Sequence, residues 1–453
     1  MEISQTTIGI FYLSRVLGLA PYTVKYDKKG RADIRRNIVI TVYSCAIIFT
    51  LASLTYNGLL FDAKSKVPIR PSFRMNSATS KVVTAIDVSV VVFATLAGLF
   101  CTIVGIQQTQ ELNRRLKEAD DTLSLYTNEE KDRKRGYALM ITVMAVISMM
   151  LSLDIWSWYN VASSMMTDEK ESPKLNVQWY IPFYGLYFIL MGLHVHFAHS
   201  AVGLGRRYRR LNMALKNSFQ EDIKSHAAHF GGPGIFRVST VNSNNRKTKD
   251  TLTTTELTPS TITTTNQKKM SSGENIINGG GGGRQMMGYS TTKHNTLERL
   301  AYTHESLGKA MNAVSGAFGF AVLLMLVSCL LHLVATAYFL FLEVLVKGNA
   351  MVSWLQALWL LFHISRLLLI VEPCHITSAE AKRTIMIVSE IQRNCKDDFI
   401  MSRMEKFWQQ LIADNTNFSA CGMCTINRQI LTSFSGAIAT YLVILIQFQK
   451  TDG

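Results

Sequence analysis

Charge is scarce in this chain: Asp, Glu, Lys and Arg together make up 17% of its 453 residues, against 48% hydrophobic. A soluble domain carries about 25% charge, and here the apolar residues fall in long blocks, which excludes a soluble protein with one compact core. Cysteine is sparse as well. Seven scattered residues imply no disulfide framework. Cys421 and Cys424 form a CxxC pair, but no second pair or nearby histidine completes a zinc site, so they read as two small thiols near a helix. A Walker motif, a nucleophile elbow and a glycine fingerprint set between strand and helix are all missing. Neither an enzyme nor a bound cofactor is expected.

The charge that is present is lopsided, with a formal net value of +15. In a soluble chain that would suggest nucleic acid. Here the basic residues flank apolar blocks, as anionic lipid and the positive-inside rule favour, so the expected partner is a lipid bilayer and not nucleic acid.

Seven stretches are long enough to cross a hydrocarbon core of about 30 Å: 38–61, 82–106, 137–160, 178–204, 317–346, 351–371 and 430–449. The four residues from Lys347 to Ala350 are so few that the fifth and sixth spans must form an antiparallel hairpin. Of the 47 Lys and Arg, 37 fall on the side of the N-terminus and nine on the other, with Arg366 inside a span; without the long fourth loop the ratio is still 21 to 9. The N-terminus is therefore expected in the cytoplasm and the C-terminus outside. The one N-glycosylation pattern, Asn417-Phe418-Ser419, then lies in the cytoplasm and should stay unmodified.

The expected architecture is all-α. Residues 1–37 form a cytoplasmic or interfacial segment whose basic residues follow its apolar ones, the reverse of a signal peptide, and read as an interfacial helix. Residues 38–204 carry spans one to four. Residues 205–316 are cytoplasmic helical extensions around a linker at 229–296, which is rich in Gly, Ser, Thr and Asn and expected to be disordered. Residues 317–371 carry spans five and six, 372–429 a cytoplasmic helical anchor, and 430–449 the last span.

Polar residues inside spans cost a few kcal/mol each, so each asks for a role. By depth, Asp87, Asp154, Trp156, Trp158, Thr336, Tyr338, Trp354, Gln356 and Trp359 fall in the outer halves of four spans, with His194, His332 and His363 near the middle. His332, Thr336, Phe339 and Glu343 recur at helical spacing, as do Gln356, Trp359, His363 and Arg366, and the hairpin lets the two stripes face each other. Carboxylates, amides and imidazoles beside indole faces suit a neutral sugar better than an ion pathway. Aromatic residues also gather at membrane interfaces whatever they bind. His194, His196 and His199 suggest no metal, since His194 and His196 point to different helix faces and no acid lies within a turn.

The last span is polar for a lipid-facing helix: Thr432, Ser433, Ser435 and Gly436 occupy its first half and Gln447 its end. Taken alone, Gln447-Phe448 reads as an ordinary helix end. The run Thr440-Tyr441, five aliphatics, Gln447-Phe448, however, resembles the TYhhhhhQF signature of insect gustatory receptors. The segments Trp179-Tyr180-Ile181-Pro182-Phe183-Tyr184, Ser328 to Tyr338 and Phe407-Trp408-Gln409-Gln410-Leu411 are similar to the fructose-receptor branch of that family.

The resemblance implies a homotetrameric, ligand-gated, non-selective cation channel of the plasma membrane, acting in taste or nutrient sensing. In it the seventh helix lines the pore, Gln447 and Phe448 with Ile444 form the gate, and each subunit holds D-fructose or a similar small sugar in the outer pocket. A G-protein-coupled receptor would have its N-terminus outside. A sugar transporter would be expected to show paired broken spans.

Overall fold

The computed structural model describes residues 2–3, 7–27, 32–64, 78–164, 180–219, 283–344 and 350–452, though not the side chains of 61–64, 78, 158–159, 161–164, 283–292 and 448–452. Helix α1 (Ile8–Val16) leads into a hairpin of β1 (Tyr22–Tyr26) and β2 (Ala32–Arg36), followed by α2 (Ile38–Lys64), α3 (Ala78–Val104), α4 (Ile106–Thr122), α5 (Glu129–Ser164) and α6 (Ile181–Ser218). After these come α7 (Gly283–Leu342), α8 (Ala350–Asn394), α9 (Asp398–Ala413), the two-residue strands β3 (Ser419–Ala420) and β4 (Cys424–Thr425), and α10 (Gln429–Asp452). Seven of the helices, α2, α3, α5, α6, α7, α8 and α10, are long and apolar enough to cross a membrane.

Helix length settles what lies beyond the membrane. At 1.5 Å per residue the 60 residues of α7 extend about 90 Å, three times the hydrocarbon thickness. Helices α6 and α8, with 38 and 45 residues, overrun it too. Their overhangs meet at one end of the bundle with α4 and α9, both amphipathic. Helix α4 buries Thr109, Leu112, Asn113, Leu116 and Ala119, and α9 buries Ile400, Met404, Phe407 and Leu411, spacings that put one face of each on the core. Asp397 caps α9 by accepting from the backbone amides of Phe399 and Ile400 at 3.0 and 3.4 Å.

Helix α6 is the central post, packed against α2, α3, α5, α7 and α8. Within its apolar window 72% of the residues are buried, against none in α10. The last helix thus rests on α7 and α3 at the rim, with one face along its length uncovered by its own chain.

Two expectations need correction. The segment before residue 38 is not one interfacial helix: Gly18, at φ +73°, stops α1, with the Leu19 amide donating to the Ser14 carbonyl at 2.8 Å, and an antiparallel hairpin follows. The linker expected over 229–296 ends earlier, because α7 already begins at Gly283. The rest of the linker lies outside the described residues.

Gly319 on α7 fixes how near the β3–β4 turn can come, since a Cβ there would stand 2.9 Å from the backbone nitrogen of Cys421. Gly319→Val should lower the thermal unfolding midpoint of detergent-solubilised protein, at a cost of about 1–3 kcal/mol. Gly308→Ala, whose added carbon meets only the Tyr208 hydroxyl at 4.0 Å, should keep or raise it.

Candidate functional site

The two polar stripes meet. The rings of His332 on α7 and His363 on α8 are 4.8 Å apart, and Trp359 stacks on His363 at 5.6 Å with a 26° tilt. Tyr187 of α6 stands between them, its ring 5.7 Å from both His332 and Trp359. Helix α8 then places Arg366 one turn beyond His363. Its guanidinium, on a side chain 1% exposed, donates through Nη1 to the Tyr187 hydroxyl at 2.5 Å and to His363 Nδ1 at 3.4 Å. Through Nη2 it donates to Ser328 Oγ at 3.3 Å, and it lies 5.1 Å from the centre of the Tyr187 ring. One cation thereby joins three helices.

The surroundings supply more polar groups. His332 Nδ1 lies 2.5 Å from the Ser328 carbonyl and its Nε2 3.7 Å from the Asp87 carboxylate of α3. His194 Nδ1 lies 2.7 Å from the Leu190 carbonyl of its own helix. Within this neighbourhood His194 Nε2 and Arg366 Nε are buried with no hydrogen-bond partner among the described residues. A turn up α6 from Tyr187, the hydroxyl of Tyr184 donates to the Asp154 carboxylate, which is buried. Thr336 and Gln356 are buried as well.

Other expected site residues go elsewhere. Trp156 and Trp354 are 56% and 72% exposed on the outside of the chain, away from the histidines. The reason is helical phase: each lies two residues, about 200°, from Asp154 or Gln356, which face inward. Tyr338 belongs to a separate cluster with Phe339, Leu342 and Val83, against which Leu442 and Leu445 of α10 pack. Ile444 and Gln447 are exposed on α10. The side chains of Trp158 and Phe448 lie outside the described residues. Tyr187, Ser328 and Arg366 were not singled out as binding groups, though each sits at helical spacing from a histidine that was: Tyr187 seven before His194, Ser328 four before His332, Arg366 three after His363.

A polar cavity of about 450 Å³ lies at the opposite end of α6, where the N-terminal segment meets α4 and α5. Arg207 is its hub, donating to Asp120 at 2.8 and 2.6 Å and to Glu2 at 2.9 Å. Burial alone would raise the Glu2 carboxyl, but Arg207, helped by His199 and Arg206, more than offsets it and the group is held at about 2. The stabilisation from this pair is therefore complete above the ordinary carboxylate value of 4.5 and is lost only as pH falls toward 2. The three histidines of α6 face separate surroundings: His194 the Leu190 carbonyl, His196 the Ser14 hydroxyl, and His199 the Glu2 carboxylate 3.9 Å away, beyond hydrogen-bonding reach. Among the described residues no three potential ligands converge on a metal position.

Among the described residues, a bundle of seven apolar helices with overhangs gathered at one end, and with a buried hydrogen-bonding knot between three of them, defines a multi-pass membrane protein. The chain belongs to the 7tm chemosensory receptor family, which matches residues 9–452. It is 46% identical to the gustatory receptor for sugar taste 43a of Drosophila melanogaster over the full length of both chains. It is also 32% identical to the fly's gustatory and pheromone receptor 32a over a quarter of each. The insect olfactory receptor OR5 from Machilis hrabei has the same fold, with a TM-score of 0.62 over 97% of both chains at 13% identity. These relatives are receptors and not enzymes.

Because Tyr187 accepts the shortest bond from Arg366, Tyr187→Phe should destabilise the protein by about 1–3 kcal/mol through the donor it strands. Differential scanning fluorimetry in detergent checks this; Trp354→Phe, on the outer surface, should leave the midpoint unchanged.

Proposed function

We propose that this protein is a sugar-gated, non-selective cation channel of the plasma membrane, a homotetramer opened by D-fructose or a similar small sugar. The observation that carries the reading is the buried knot between α6, α7 and α8. It offers two buried nitrogens without hydrogen-bond partners among the described residues, His194 Nε2 and Arg366 Nε, beside the stacked Trp359 and His363 rings. A buried donor left unpaired costs about 1–3 kcal/mol, and a sugar hydroxyl is the neutral group that relieves it while the ring's C–H face lies on an indole. Full-length similarity to a receptor for sugar taste supports this ligand class.

In this reading the N-terminus is cytoplasmic, as the Lys and Arg asymmetry favours, and the pocket opens outward. It is formed by Asp87, Asp154, His194, Thr336, Gln356, Trp359 and His363, with Tyr187, Ser328 and Arg366 as its floor. Trp156 and Trp354, facing away in one chain, are dropped from it. Tyr338 serves the contact with α10 instead.

Helix α10 lines the pore. Its hydroxyls turn back on its own backbone, Ser435 donating to the Leu431 carbonyl at 2.9 Å and Thr440 to the Gly436 carbonyl at 3.0 Å, so it needs no polar partner. Its uncovered surface is then free for neighbouring copies and for a wet pore. Gln447, Phe448 and Ile444 form the constriction, where a ring of apolar side chains closes by dewetting.

Whole-cell recording from cells expressing this chain alone, under a panel of sugars, tests the proposal. Fructose should evoke a cation current; uptake of sugar without channel-sized current would overturn it. Asp154→Asn and Gln356→Ala should each raise the half-maximal sugar concentration roughly tenfold, about 1.4 kcal/mol of lost hydrogen bonding. Phe448→Ala should raise the current that flows without sugar.

A further inference from the structure

Helix α8 carries the pocket groups on its first half and packs into the overhang layer with its second, and Pro373 stands between the two. A proline within a helix deletes one backbone hydrogen bond and crowds the carbonyl four residues earlier, here that of Leu369, so the helix bends most readily at this point. The residue just before it, Glu372, reaches across to α10. Arg428, one position ahead of α10, donates through Nε and Nη2 to the two carboxylate oxygens of Glu372, both at 2.9 Å. Such a two-pronged fork fixes direction as well as distance.

The remaining support of α10 is apolar, with Ile430, Leu431, Phe434 and Ile438 packed against the main core. It rests along α7 and α3, and near its far end Leu442 and Leu445 join Tyr338, Phe339, Leu342 and Val352. The fork therefore ties the foot of α10 to the pocket helix at the place where that helix is interrupted. It is not placed to hold the fold: the side chains are 30% and 58% exposed, and exposed pairs change an equilibrium by a factor of only about two to five. A modest, directional tie at a bend acts on a movement more than on folding.

We propose that Glu372 and Arg428 are a positioning pair that transmits pocket occupancy to α10. Sugar drawn in beside His363 and Arg366 shifts the first half of α8 about Pro373, Glu372 moves with the end of that half, and the fork turns the foot of α10. This rests on the reading of α10 as the pore helix.

The experiment is whole-cell recording of fructose-evoked current, with surface labelling, for wild type, Glu372→Gln, Arg428→Gln, the reversals E372R and R428E, and the exchange E372R/R428E. Each neutral variant should raise the half-maximal concentration roughly two- to fivefold and lower the maximal current at unchanged surface density. The reversals should be worse, and the exchange should return to within about twofold of wild type. If the reversals fail to reach the surface, the neutral variants carry the test. A conducting wild type whose neutral variants respond normally, or whose exchange is no better than the worse reversal, overturns the coupling alone. A wild type that reaches the surface without sugar-evoked current overturns the channel reading and the coupling with it.

Discussion

A guanidinium buried between apolar helices has five N–H groups and almost no water to satisfy them, and the way α6, α7 and α8 meet follows from that constraint. Arg366 is the largest fully buried side chain among the described residues. Its partners come one from each neighbouring helix, the hydroxyl of Tyr187 and that of Ser328, with His363 from its own. No aliphatic at any of these positions could replace a partner without stranding a donor. The three helices are thus locked in rotation as well as in distance, which a purely hydrophobic seam would leave adjustable by a residue or so.

The two ends of the bundle are held by different forces. At the overhang end, ions dominate: Arg207 joins Asp120 and Glu2, Arg210 joins Asp132, and Arg209 joins Glu380 across to α8. Several of these side chains are buried and shared, so breaking one leaves another uncompensated. At the end that carries the polar knot, one buried cation, Arg366, is surrounded by aromatic rings and hydroxyls. Each end of the bundle is thus oriented by directional polar contacts, to carboxylates at one end and to neutral groups at the other.

The helices were legible in the sequence because each span is a long apolar block, and the meeting of His332 with His363 because four intervening residues force a hairpin. What depth could not supply was phase. Asp154 and Trp156, or Gln356 and Trp354, lie at one level yet on opposite faces, so a list made by level mixes inward with outward side chains. Tyr187 was hidden for another reason: it sits in a run of aromatics, Tyr184, Tyr187 and Phe188, where nothing in composition separates a hydrogen-bonding phenol from a packing one. The β1–β2 hairpin was masked by its Lys and Arg, which read as an interfacial tail, and the start of α7 by the glycine run just ahead of it.

In the proposed channel a ligand can move an equilibrium only through what it contacts more strongly in one state, so a route from knot to α10 must pass through elements that touch both. Helix α6 carries Tyr187 and His194 but is not among the supports of α10, which are α7 and α3 together with the outer cluster and the Glu372 fork. Helix α7 holds His332 and, two turns on, Tyr338 and Phe339 against Leu442 and Leu445. Helix α8 holds His363 and, at its bend, Glu372 against Arg428. The same two helices that close the knot therefore hold α10 near its two ends. Tilting α10 needs opposite displacements at those ends, and a hairpin whose arms pivot about a ligand between them supplies displacements of opposite sense.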